Sequence, residues 1–324
     1  MVKLASAEMA EKKLATRAAF GATLAELAEE GVPVVAVDAD LTGSTTTKKF
    51  AAAAPENADK LFNCGIAEQN MIDVAAGLAL TGHVAYTGSF AVFGTGRAYD
   101  QIRNTVCYSN LDVKICPTHA GVSVGPDGGS HQMLEDVSLM RGLPNMRVLV
   151  PADYAAARAA IKLAAKTPGP VYVRMGRAAV PCVYDDDVEL ELGRAYVLRE
   201  GSDATVVACG VEIREALAAA DMLAEEGVSV EVVDAFSVKP LDEDTITASV
   251  AKTGCCVVAE EHSVHGGLGS AVAECLARKN PAPCEFVGVQ DRFGKSGEFE
   301  ELLGYFNLDA AAIVEAVKRA MGRK

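Results

Sequence analysis

Positive charge is scarce in this chain. Its 30 Lys and Arg residues face 44 Asp and Glu, a formal net charge of −14. That balance excludes a broad basic face for nucleic acid or an anionic membrane, so any anion site must be built from a few specific cations. No apolar stretch approaches the roughly 20 residues of a membrane span, and the opening residues Met1–Glu8 lack the apolar region of a secretory leader. The expected location is cytoplasmic. The nine cysteines show no metal-ligand spacing, and no metal site is expected within the chain. Cys255-Cys256 lies in an apolar run, and Cys107, Cys116, Cys209 and Cys284 sit in or beside β-type runs, so they read as small buried hydrophobes in a reducing compartment. Tandem repeats and low-complexity tracts are also missing.

What is present is an α/β pattern long enough for two domains. The chain has 324 residues, half of them apolar, and 29 glycines. Residues 14–29 read as a helix with Phe20, Leu24 and Leu27 on one face, followed by the β-type run Val32–Val37. Asp40 and Ser44 then fall just past a strand's carboxyl end, where open parallel sheets collect ligands. Val171–Val173 is another short strand, with Arg174 at its end. Between Ala178 and Leu198 the periodicity breaks around Asp185-Asp186-Asp187, which reads as a solvated linker. Beyond it, strands at Ala204–Cys209, Val228–Ala235, Cys255–Glu260 and Cys284–Asp291 alternate with helices at 211–226, 266–279 and 309–321, the signature of a mostly parallel sheet.

One acidic residue stands out. In Asn63-Cys64-Gly65-Ile66-Ala67-Glu68-Gln69-Asn70-Met71, Glu68 opens a helix and shares the stripe of Met71, Ile72 and Ala75, which turns its carboxylate toward the apolar side. Such a placement requires a partner able to share its proton, as an acid/base group on a cofactor would have. The alternative is a first-turn Glu stabilised by the helix dipole and pointing into water.

Four further segments come in order with it: Asp38-Ala39-Asp40-Leu41-Thr42-Gly43-Ser44, Thr87-Gly88-Ser89-Phe90-Ala91-Val92-Phe93, Thr118-His119-Ala120-Gly121 and Asp127-Gly128-Gly129-Ser130-His131-Gln132. Together they resemble the pyrimidine-binding half of transketolase, a thiamine-diphosphate enzyme. Asp234–Asp242, Glu260-Glu261-His262, Gly266–Ser270 and Phe293-Gly294-Lys295-Ser296-Gly297 are similar to that family's C-terminal domain. The resemblance implies two three-layer α/β domains, a pyrimidine-binding domain over 1–188 and a transketolase C-terminal domain over 193–324. It implies transfer of a two-carbon ketol unit between a ketose phosphate and an aldose phosphate.

The residue roles follow from the same likeness. Glu68 would hydrogen-bond the pyrimidine and promote its imino tautomer, with Phe90 and Phe93 as the stacking wall and Asp40 as a cofactor-side contact. His131 would be the second catalytic group, at the sugar hydroxyl and carbonyl region. Asp127 would read a hydroxyl, and Arg17, Ser44, His119 and Arg174 would cradle the phosphate. Without the family, two Phe at this spacing read as core, Arg17 as a surface ion pair and Asp40 as a turn cap. The sequence departs from the family at Gly96, where an aromatic is usual, and at Gly129-Ser130, where Pro-Thr is usual.

The family's Gly-Asp-Gly motif for the diphosphate and its Mg2+ or similar metal is absent. The chain therefore resembles the C-terminal subunit of a split transketolase, with metal and diphosphate held by an N-terminal partner subunit in an α2β2 assembly. Rival readings are a half of a 1-deoxyxylulose-5-phosphate synthase, the β subunit of a 2-oxoacid dehydrogenase, which the Asp38–Ser44 segment and the His pair fit poorly, and a non-catalytic partner subunit of a thiamine-diphosphate enzyme.

Overall fold

The computed structural model describes residues 2–324. Fourteen strands run in chain order. The first eight are β1 (Lys13–Ala15), β2 (Val34–Asp38), β3 (Leu61–Asn63), β4 (Val84–Gly88), β5 (Val113–Ile115), β6 (Arg147–Leu149), β7 (Val171–Val173) and β8 (Ala179–Pro181). The remainder are β9 (Tyr196–Arg199), β10 (Ala204–Ala208), β11 (Val230–Asp234), β12 (Ser237–Lys239), β13 (Cys256–Ser263) and β14 (Cys284–Val289). Twelve of them form two main sheets, seven-stranded in the order β12-β6-β7-β5-β4-β2-β3 and five-stranded in the order β14-β13-β10-β11-β9, and β1 and β8 make a separate antiparallel pair. Within the two main sheets all pairings are parallel except at two edges, where β12 meets β6 and β9 meets β11 antiparallel.

Continuous apolar runs make these strands, because both faces of each sheet are covered. On β2, Val34 and Ala36 pack with Phe20, Leu24 and Ile161, while Val35 and Val37 face the opposite way toward Met71, Ile72 and Ala75. The same alternation holds on β10, with Val206 on one side and Val207 on the other. Each sheet is thus the middle layer of three, the two-domain α/β architecture the sequence implies. Helix Ala18–Glu29 buries the expected Phe20, Leu24 and Leu27, but begins later than its periodicity indicates because Lys13–Ala15 pairs as β1 with β8.

The segment read as a solvated linker is packed instead. Tyr184 is fully buried and Val188 and Leu190 nearly so, while Asp186, Asp187 and Glu189 between them point outside. Two backbone amides, of Val183 and Tyr184, donate to the buried carboxylate of Asp153, which also caps helix Tyr154–Lys166. Strand β12 was also missed. It leaves the C-terminal half and adds itself to the first sheet, so the two halves share an edge. No helix among the described residues is long and apolar enough to cross a membrane.

Candidate active site

The carboxyl ends of the parallel strands define the site. Strand β2 leads into Asp40, β3 into Glu68, β4 into Phe90 and Phe93, β5 into His119, and β7 into Arg174 and Arg177. Ligands gather at this edge of a parallel sheet.

Glu68 is the first residue of helix Glu68–Leu80 and is 2 % exposed, among Met71, Ile72 and Ala75 as the stripe predicts. Its partner within the chain is a charge: Arg97 Nη1 donates to Oε2 at 2.8 Å. The helix N-terminus adds to that support. Oε1 makes no hydrogen bond among the described residues. Sequence reasoning passed over Arg97, whose only signal was its place beside Gly96. Two wide helical turns, Val92–Arg97 and Ile102–Tyr108, follow Phe90 and aim this arginine back. Its guanidinium carbon lies 4.4 Å from the Phe93 ring centroid, a cation–π contact on a ring that lacks the family's next aromatic.

Phe90 and Phe93 are near-parallel, with centroids 6.3 Å apart. His119 stacks on Phe90 at 3.8 Å, and His131 stands edge-on to Phe93 at 5.5 Å. His119 sits in the left-handed region, φ 61°, with Nδ1 2.7 Å from Thr118 Oγ1. Burial, followed by the positive charge of Arg17 and Arg177 and then His131, pushes its pKa down to about 3. It is therefore a neutral imidazole at physiological pH. His131 is half-buried, with Nδ1 3.0 Å from Ser130 Oγ. Ser89 Oγ, next to Phe90, is buried without a partner.

Arg17 and Arg177 are the cations of this cleft. Arg17 Nη1 donates to the Ser44 carbonyl at 2.6 Å, and Arg177 Nη1 to the Val124 carbonyl at 2.8 Å. Neither has a carboxylate within 4.0 Å among the described residues. Arg17 is held below its ordinary pKa by burial and by Arg177, against the pull of Asp127. Both line a cleft of about 370 Å³ that Glu298 and Phe299 of the C-terminal half close on the far side. Asp127 is exposed at the end of the turn Val122–Asp127. Asp40 is exposed at φ 64° and is tied to Asn63, which accepts from its amide at 3.1 Å and donates to its carboxylate at 3.2 Å. It lies on the same edge but, among the described residues, makes no hydrogen bond or ion pair with the other candidates.

Arg174 is a correction. Its side chain is 7 % exposed. Nε donates to Asp136 Oδ2 at 2.7 Å and Nη2 to the Glu261 carbonyl at 2.9 Å, while Nη1 lies 3.6 Å from the Glu261 carboxylate. Asp136 also accepts from the Tyr172 hydroxyl. Burial works against the charge, but Asp136 and Glu261 hold the Arg174 pKa above its ordinary value. This guanidinium joins the two halves of the chain, and its charge is committed to the buried carboxylates of Asp136 and Glu261. Arg177, three residues on, occupies the place in the cleft that the sequence reading gave to Arg174.

Family models match both halves of the chain. The model of the transketolase pyrimidine-binding domain matches residues 12–183, and that of the transketolase C-terminal domain matches residues 193–313. The chain belongs to the transketolase family, as a transferase chain built of these two domains. It is 44% identical, over 95% of its length and 96% of the relative's, to a chain of Methanocaldococcus jannaschii that carries the provisional name transketolase C-terminal section. It is 42% identical to the 6-deoxy-6-sulfo-D-fructose transketolase subunit of Clostridium sp. (strain MSTE9), over 93% of this chain and 92% of that one. A solved structure described as "Split gene transketolase, inactive beta4 tetramer" superposes with a TM-score of 0.87 at 49% identity, covering 96% of this chain and 99% of that one.

Proposed function

We propose that this chain is the C-terminal subunit of a split transketolase, moving a two-carbon ketol unit between a ketose phosphate and an aldose phosphate. The observation that carries the reading is the convergence of one buried carboxylate, an aromatic wall, two histidines and two arginines without carboxylate partners at one sheet edge. The donor set fits an aminopyrimidine. Glu68 leaves Oε1 without a protein partner, and Phe93 is a half-buried ring able to stack on a planar heterocycle. Bound there, thiamine diphosphate would supply a nucleophilic thiazolium carbon suited to a ketose carbonyl.

The chain's own residues then divide the work. Glu68 would share a proton at Oε1 with the pyrimidine ring, while Arg97 holds the other oxygen. Phe90 and Phe93 keep water from the ring. His131 donates to or accepts from the sugar's carbonyl and hydroxyl region, Asp127 reads a hydroxyl, and His119, a neutral imidazole beside Arg17 and Arg177, contacts the phosphate. Arg17 and Arg177 hold the terminal anion through charge-assisted bonds, a task suited to forked guanidinium donors. Ser44 supports this cradle by fixing Arg17 through its carbonyl.

The diphosphate and its metal belong on a separate N-terminal subunit, since this chain carries no Gly-Asp-Gly motif. The related chain described as an inactive tetramer of β subunits supports the same division. The proposed complete enzyme is α2β2. One relative's name, that of a sulfofructose transketolase subunit, supports counting a sulfonate beside phosphate as a candidate anion. Mixing this chain with a candidate N-terminal subunit, thiamine diphosphate and Mg2+ should give ketol transfer from xylulose 5-phosphate to ribose 5-phosphate. Condensation of pyruvate with glyceraldehyde 3-phosphate in place of that transfer would overturn the assignment in favour of a deoxyxylulose-phosphate synthase.

A further inference from the structure

Gln132 follows His131 directly and is 4 % exposed. Its Nε2 donates to the carbonyls of Val122 at 3.2 Å, Gly125 at 3.4 Å and Lys295 at 2.9 Å, and its Oε1 accepts from the Lys295 amide at 2.7 Å. Two amide hydrogens thus serve three carbonyls, and the carboxamide is fully used. Val122 and Gly125 belong to the turn that ends at Asp127, whereas Lys295 lies 163 residues away in the C-terminal domain. The two backbones approach so closely that side chains are excluded. A Cβ on Gly129 would lie 2.5 Å from the Gly294 carbonyl oxygen, and one on Gly294 only 1.9 Å from Gln132 Oε1.

A Gly-rich surface loop left to itself samples many conformations, at the cost of orienting the groups it carries. Here one side chain bonds the turn at two points, Val122 and Gly125, and the facing domain at once. We propose that Gln132 is a positioning residue, fixing His131 and Asp127 against the Phe293–Gly297 segment, so that the C-terminal domain shapes sugar recognition without touching the sugar. This rests on the transketolase reading only in taking His131 and Asp127 to face substrate.

Hydrogen exchange on the chain alone tests the clamp, and needs neither partner nor substrate. Gln132→Met keeps the length and apolar stem of the side chain and removes all four bonds. Amides of residues 122–131 and 293–297 should exchange at least about 10-fold faster, while helix Glu68–Leu80 and strand β2 keep their protection. Gly294→Ala, which pushes on Gln132 from the opposite loop, should do the same. In the reconstituted pair, Gln132→Met should lower kcat/KM for the ketose about 10- to 100-fold through lost orientation, with the thiamine diphosphate saturation curve unmoved. Unchanged exchange over 122–131, equal acceleration throughout the chain, or faster exchange with wild-type kcat/KM would each overturn the proposal. An inactive wild-type pair would count against the transketolase reading and leave the exchange result to decide this one.

Discussion

Arginine 174 and arginine 177 are three residues apart and should fail in opposite ways. Arg177 has one backbone bond and no carboxylate partner, so Arg177→Ala removes a donor to the substrate anion and little else. A hydrogen bond to a charged group is worth about 1.5–3 kcal/mol. At a factor of ten for each 1.4 kcal/mol, KM for a phosphorylated ketose should rise roughly 10- to 150-fold, while an unphosphorylated analogue is barely affected. Arg174→Ala instead strands Asp136 and Glu261, both buried, without their cation. Breaking a buried pair from one side costs about 3–5 kcal/mol. For domains of this size each kcal/mol lowers Tm by about 2–4 °C, so a loss of roughly 6–20 °C is expected. Thermal melts of the chain alone, and KM for the two ketoses in the reconstituted pair, separate the outcomes. A well-folded Arg174→Ala with a selective KM defect for the phosphorylated sugar, beside a neutral Arg177→Ala, would refute the correction.

Glu68→Gln keeps the volume of the side chain and should fold normally, yet cut turnover about 10²–10⁴-fold, the usual worth of a positioned acid/base group; near-normal turnover at saturating cofactor would remove Glu68 from the mechanism. Asp234 gives a pH prediction. It is fully buried, Oδ1 has no partner, and burial pushes its pKa up to about 7, although the Tyr184 hydroxyl donates to Oδ2. A carboxyl that stays protonated in the fold stabilises most below its unfolded pKa, and that contribution is lost as pH rises through about 7. Asp234→Asn stays neutral, so its Tm advantage over wild type should widen from pH 5 to pH 8.5; a gap that does not change with pH would place the titration elsewhere.

Much of this was legible because burial on both sheet faces leaves long apolar runs, and because a stripe of i, i+3 and i+4 residues fixes which way Glu68 points. Cleft order was legible too, since each motif follows a strand. Commitments between distant residues were not. Arg174 reads like a free arginine until Asp136, 38 positions back, and Glu261, 87 positions on, are seen beside it. Arg97 carries no periodic signal, because wide helical turns place it by a geometry that a 3.6-residue repeat does not describe. The polar run at Asp185–Asp187 suggested solvent, but Tyr184, Val188 and Leu190 on either side are buried, and Tyr184 donates to Asp234 of the C-terminal half. Strand β12 is too short for its pattern to say which sheet it joins.

The central claim is that this chain holds one side of a shared cofactor site. Titrating thiamine diphosphate in Mg2+ into the chain alone, into the candidate N-terminal subunit alone and into the mixture tests it most directly, with ketol transfer read on the same samples. The account predicts tight, metal-dependent binding and transfer only in the mixture, and loss of both when the subunits are separated by size-exclusion chromatography. Tight, metal-dependent binding with full ketol transfer by this chain alone would contradict it.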